Sequence, residues 1–108
     1  MLLAKHGSKV VAELEERVDQ DRYVPSVDKL FKSAAIAYGA KILAVVLTGM
    51  GSDGKEGILA VKDAGGYVIA ESEKTSIVFG MPREAIETRK VDRVANLEEI
   101  AGEILKFC

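Results

Sequence analysis

The chain has 108 residues, 48% apolar and 30% charged, with a formal net charge of -2 and an isoelectric point near 5.4. That balance is ordinary for one globular domain, and it argues against nucleic-acid binding, which needs a surplus of Lys and Arg gathered on one face. One cysteine, Cys108, and one histidine, His6, exclude an internal disulfide and a cysteine or histidine metal cluster. No run approaches the roughly 20 apolar residues of a membrane span, so the chain reads as cytoplasmic, with no metal, cofactor, nucleic acid or membrane insertion.

In chain order, residues 1–4 read as a short strand ahead of a polar turn at His6-Gly7. Two readings compete for the segment after it. Val10, Val11, Leu14 and Val18 fall at helical spacing behind Ser8, whereas residues 9–14 suit a returning hairpin strand equally well. Residues 15–22 are charged and read as a solvated loop. After Pro25 the pattern sharpens: Ser26 caps a helix in which Val27, Leu30, Phe31, Ala34, Ala35 and Tyr38 share one face, and Gly39 ends it.

The unbroken apolar run 42–47 predicts a strand buried on both faces. Gly49, Gly51 and Gly54 turn the chain sharply, and a short helix carrying Ile58, Leu59 and Val61 runs from Lys55 to Gly65-Gly66. A second buried strand over 67–70 opens into the polar loop 71–76. Ile77, Val78 and Phe79 form a brief apolar segment that Gly80 and Pro82 close. A helix over 83–89 turns Ala85 and Ile86 inward, and a short strand is expected over 91–94. The last helix is signed by Asn96 as its cap, Glu99 at the capping-box position, and a stripe of Leu97, Ile100, Ala101, Ile104 and Leu105. Helix and strand alternate from Ser26 onward, the pattern of βαβ units around a parallel sheet.

In such sheets chemistry gathers at the carboxyl ends of strands. Asp53 is the only ionisable side chain between Gly49 and Gly54. Three readings of it stay open. Gly49-x-Gly51-x-x-Gly54 fits a dinucleotide fingerprint, with Glu71 and Glu73 about twenty residues on for a ribose, but Asp53 would stand beside the pyrophosphate as a like charge. A second reading makes Asp53 the cap of the helix that follows it. As the acid of a nucleophile-base-acid triad it would orient a histidine, while a peptide N–H near Met50 serves an oxyanion and the glycines let the backbone approach a substrate. No serine stands in a nucleophile-elbow context, and His6 is the sole histidine.

The segments Leu47-Thr48-Gly49-Met50-Gly51-Ser52-Asp53-Gly54, Pro25-Ser26-Val27-Asp28-Lys29-Leu30-Phe31 and Ala70-Glu71 through Gly80-Met81-Pro82 together resemble the catalytic domain of the CheB chemotaxis receptor methylesterase family. The resemblance implies hydrolysis of glutamyl methyl esters on the cytoplasmic helices of methylated chemoreceptors, with glutamine deamidation as a second activity. It assigns Asp53 as the triad acid and the backbone of Met50 as an oxyanion donor, with Gly49, Gly51 and Gly54 lining the substrate loop.

The family's serine and histidine precede anything in these 108 residues. The resemblance therefore implies a domain truncated at its N-terminal side, a three-layer α/β/α unit with a mostly parallel sheet and no receiver domain, inactive by itself. His6 aligns with a hairpin turn, which favours the hairpin for the opening residues, and Val24 stands where the family usually has Arg. The partner expected inside the enzyme is the missing N-terminal part of the domain, or a second copy along an exposed sheet edge. A small nucleotide-binding module and a non-catalytic interaction domain are the alternatives.

Overall fold

The computed structural model describes residues 2–6, 9–13, 26–51 and 53–107. The expected loop at 15–22, the position of Val24, the helical reading beyond residue 13, and Ser52 and Cys108 lie outside the described residues. The opening residues form the hairpin: β1 (Leu2–His6) pairs antiparallel with β2 (Lys9–Glu13), Leu2 opposite Glu13 and His6 opposite Lys9. The hairpin is a sheet by itself. It is tied to the first helix where the Leu3 N–H donates to Ser33 Oγ at 2.8 Å.

Helix α1 (Val27–Tyr38) starts and stops where its residues dictate. Ser26 is the N-cap and accepts from the Lys29 N–H, and Gly39 closes the helix at φ 59, a left-handed value that suits glycine. A 3-10 turn (Gly39–Lys41) leads into β3 (Leu43–Val46). Then follow α2 (Lys55–Asp63), β4 (Tyr67–Glu71), α3 (Met81–Glu87), β5 (Arg93–Ala95) and α4 (Leu97–Phe107). The strand expected at 91–94 is shifted toward the C-terminus. The helix expected at 83–89 starts earlier, because Pro82 takes its first turn, where a missing N–H costs nothing.

β3, β4 and β5 form one parallel sheet in that order, in register from Leu43 opposite Tyr67 and Ile69 opposite Arg93. Ala44, Val46, Val68 and Ala70 face one layer, where Ile58 and Val61 of α2, Ala85 of α3 and the partly covered Phe31, Ala34 and Ala35 of α1 complete the main core. Ile69 and Ala95 face the other layer, covered by Ile100 and Ile104 of α4. The result is α/β/α. The central strand β4 is buried on both faces after Tyr67.

The expectation of two buried faces fails for β3. Ala44 and Val46 are buried but Leu43 and Val45 only half so, because β3 lies at the end of the strand order and α4 packs over Ile69 and Ala95 instead. Tyr38, expected inward, is 45% exposed. An open groove of about 450 Å³ runs beside β3, lined by Leu30, Phe31, Ala34, Tyr38, Ile42 and Leu43 among others.

Candidate functional site

The carboxyl ends of β3 and β4 are joined through one side chain, that of Glu71 at the end of β4. The Thr48 N–H donates to Glu71 Oε1 at 2.9 Å, and the Thr75 hydroxyl donates to Glu71 Oε2 at 2.8 Å. Thr75 Oγ1 in turn accepts from the Leu97 N–H at 2.9 Å. Glu71, only 1% exposed, thus ties the end of β3, the loop after β4 and the start of α4 together. A buried carboxyl group is tolerated where its oxygens find donors, and here each of the two has one. Glu71 is turned inward, away from the ribose role that the dinucleotide reading gave it.

Two glycine turns then cross. The Gly49 N–H donates to the Val78 carbonyl at 3.0 Å, and the Gly49 carbonyl accepts from Gly80 and Met81 at 3.0 and 2.9 Å. Thr48 Oγ1 accepts from the Val78 N–H at 2.8 Å and donates to its carbonyl at 3.1 Å. A Cβ on Gly80 would lie 2.8 Å from the Gly49 oxygen and 3.2 Å from Met50 Cα, so only glycine permits the crossing. Met50 is held at this point with its residue surface 83% exposed. Its backbone N–H makes no hydrogen bond with the described residues. Gly51 and Gly54 turn the chain at φ 94 and 106, values open to glycine.

Asp53, 6% exposed, does not cap the helix that follows it. Gly54 is the N-cap of α2 and supplies no side chain. Asp53 reaches α1 instead: Oδ2 accepts from the Val27 N–H at 2.6 Å, and Oδ1 accepts from the Asp28 N–H at 3.0 Å and the Ser26 hydroxyl at 3.3 Å. Its charge therefore meets the positive end of α1. The α2 amides that a pyrophosphate would use are occupied by another carboxylate, since Asp28 Oδ1 accepts from Gly54 at 2.9 Å and Gly57 at 2.8 Å. The nucleotide reading loses its anion site to Asp28.

The two helices are held side by side by a further pair. Lys32 Nζ lies 2.9 Å from Glu56 Oε2. This hydrogen bond and charge raise the Lys32 ammonium above its ordinary value and lower the Glu56 carboxyl below its own. Gly57 allows the close approach, because a Cβ there would lie 2.6 Å from Phe31 Cβ.

Neither Asp28 nor the inward role of Glu71 stands out in the sequence. Asp28 is visible there as an acid in the first turn of α1, a place that ordinarily signals its own helix. Glu71 is visible as an acid ending an apolar strand, four residues before a threonine. Among the described residues no three His, Cys, Asp or Glu side chains are gathered to hold a metal ion, and no helix is long and apolar enough to cross a membrane.

Fold and sequence are both similar to those of known proteins. A family model described as CheB methylesterase matches residues 1–104. Protein-glutamate methylesterase/protein-glutamine glutaminase 3 of Geobacter sulfurreducens is 46% identical over 108 residues, all of this chain and 29% of the relative. Protein-glutamate methylesterase/protein-glutamine glutaminase 1 of Myxococcus xanthus is 53% identical over 100 residues, 93% of this chain and 29% of the relative. The crystal structure of the Thermotoga maritima CheB methylesterase catalytic domain superposes with a TM-score of 0.94 at 37% identity, covering 99% of this chain and 57% of that one. The chain thus spans under a third of the length of these curated relatives.

Proposed function

The chain belongs to the CheB methylesterase family, and from that premise we propose that it forms the acid corner of a site that hydrolyses glutamyl methyl esters, and deamidates glutamines, on chemoreceptor helices in the cytoplasm. The observation that carries this reading is the buried Asp53 carboxylate. An ionised carboxylate has roughly four acceptor sites. Three donors fill three of them, which fixes the group and leaves one site for an imidazole N–H.

In this reading a serine outside the chain attacks the ester carbonyl, and a histidine outside the chain takes its proton and returns it to the leaving methanol. Water then releases the acyl group from the serine by the same route in reverse. Asp53 holds the histidine in the tautomer that accepts the proton and stabilises the imidazolium. The Met50 N–H, without a partner among the described residues, donates to the oxyanion from a loop that the Gly49 and Gly80 crossing holds rigid. A Cβ on Gly49 would lie 2.8 Å from Met81 Sδ and one on Gly54 3.3 Å from Val27 Cγ1, so these two glycines let the loop pack closely under Met50 rather than clearing a path for the substrate, and Gly51 turns it at φ 94.

The partner that completes the site lies along β3. That strand pairs only with β4 among the described residues, and apolar grooves flank its free edge. We assign this edge to the remainder of the catalytic domain or, without it, to a second copy of the chain.

The test is turnover. Alone, the chain releases no methanol from a methylated receptor peptide. Fused behind the segment that precedes the matching region of the Geobacter sulfurreducens relative, it does, and Asp53→Asn lowers kcat by about 10⁴-fold, the loss typical when a triad acid no longer sets the histidine tautomer. Turnover that survives Asp53→Asn would sink the assignment.

A further inference from the structure

Asp28 sits in the first turn of α1, yet its Oδ1 reaches across to α2, accepting from Gly54 and Gly57. In return its own backbone N–H and that of Val27 bind Asp53. Only Gly54, the N-cap with a left-handed φ of 106, separates Asp53 from α2, and it offers that helix no side-chain cap. The backbone just after Asp53 is therefore held by Asp28, while the carboxylate of Asp53 is held by the amides around Asp28. Each bond set depends on the relative placement of the two helix starts, which the tight contact of Gly57 with Phe31 Cβ and Asp28 Cα brings together.

We propose that Asp28 is the positioning residue for Asp53, setting where the acid stands in the reaction and not merely capping α2. The proposal rests on the reading of Asp53 as triad acid. A catalytic carboxylate must stay within about 0.5 Å of its productive place. Bonds from α1 alone fix the carboxylate group, and the Gly54 carbonyl is held by the Ile58 N–H at 2.8 Å, but neither holds the peptide that joins Asp53 to Gly54. Asp28 holds that peptide, because its oxygen accepts from the Gly54 N–H.

A plain cap and a positioning device differ in one respect. A plain cap affects only the amides it accepts from, whereas a positioning device transmits to the bonds of Asp53, and such coupling is reciprocal. Amide hydrogen exchange on the full chain, resolved by residue, reads this directly. Asp28→Ala speeds exchange at Gly54 and Gly57 by about tenfold or more and speeds Val27 as well, while Val68 to Ala70 in the central strand change far less. Asp28→Asn keeps an acceptor oxygen and restores all three amides. Asp53→Ala reads the same coupling from the other side, speeding Gly57 although Gly57 makes no bond to Asp53, so the test stands even where Asp28→Ala does not fold. Val27 unchanged in Asp28→Ala, or Gly57 unchanged in Asp53→Ala, overturns the proposal. So does a uniform rise across the central strand that Asp28→Asn fails to rescue. These readings need no turnover, so a failed esterase assay and a failed coupling are separate results.

Discussion

Asp28 and Asp53 exchange helix caps: each carboxylate binds the first amides of the helix that the other belongs to or precedes, Asp28 on Gly54 and Gly57, Asp53 on Val27 and Asp28. Two acids meeting at one helix pair would ordinarily repel. Here each faces the positive end of the opposite helix, equivalent to roughly half a charge, together with N–H donors directed at it. The exchange explains how an acid can be fixed beside three glycines without help from its own helix.

In the fusion that supplies nucleophile and base, this arrangement predicts a split in the kinetics of Asp28 variants. Asp28→Ala lowers kcat by about 10- to 100-fold, the scale of a small misplacement of a reacting group, and leaves KM nearly unchanged because Asp28 faces α2 and not the substrate. Asp28→Asn, which keeps an acceptor oxygen, loses less. Steady-state methanol release over a range of peptide concentrations measures both quantities. An effect on KM alone would contradict the placement.

Glu71 gives a prediction about stability. Removing its side chain by Glu71→Ala leaves the Thr48 N–H without its acceptor, opens space beside β4 and releases Thr75 from its partner. The expected cost is about 2–4 kcal/mol by chemical denaturation. Glu71→Gln retains an oxygen for Thr48 and lies much closer to the parent. Equal losses for the two variants would mean that the negative charge, and not the acceptor geometry, is what the site uses.

Lys32 and Glu56 link the same two helices at the surface, and their shifts set a pH window. Glu56 is lowered from its ordinary 4.5, chiefly by the hydrogen bond from Lys32, so its contribution is present above 4.5 and is lost as pH falls through the lowered folded value. Lys32 is raised from 10.5 by the same bond, so its contribution is present below 10.5 and is lost as pH rises through the raised value. Both groups are exposed, with side chains 48% and 70% accessible, so salt screens the pair. Glu56→Gln therefore flattens the acid side of the stability profile slightly, and the difference shrinks in high salt.

Glycines on two helices should respond to alanine with opposite signs. In a helix interior Gly→Ala ordinarily stabilises by about 0.5–1 kcal/mol. Gly102 in α4 has open space where an added methyl would stand, with nothing within 4 Å, so Gly102→Ala gains that amount. At Gly57 the same methyl would lie 2.6 Å from Phe31 Cβ and 3.2 Å from Asp28 Cα. Gly57→Ala must push α2 from α1 and destabilises by about 1–3 kcal/mol. Thermal melts of the two variants give the signs directly.

Elements whose signals are local are legible in the sequence. Ser26 and Gly39 bound α1 as their chemistry dictates, and the glycine loop falls at the carboxyl end of β3 as the apolar run implies. The cap of α4 is legible in part. Glu99 Oε1 accepts from the Asn96 N–H at 2.9 Å, but the Asn96 side-chain oxygen accepts from the Ser72 hydroxyl. Asp53 departs from its expected cap for the same reason. The amides nearest to it along the chain are those of α2, but Asp28 takes them, and the packing of the two helices brings the first amides of α1 to Asp53 instead. Spacing reveals what a residue offers to its own helix, and tertiary contacts decide which helix receives it.

The free edge of β3 carries the last prediction. One side of that strand has no partner among the described residues, and Leu47 just beyond it is 44% exposed in a groove that also includes Val27, Phe31 and Val45. Unpaired N–H and C=O groups beside apolar side chains form a template for another strand, and a lysine at such an edge is the usual way to block it. Size-exclusion chromatography with light scattering on the isolated chain should show mass rising above one copy as concentration increases, and Leu47→Lys should return it toward the monomer. In the fusion, where the preceding segment is supplied, the concentration dependence should disappear. A clean monomer of the isolated chain at high concentration would show that the edge is protected by this chain itself, and the preceding segment would then have to join the sheet elsewhere.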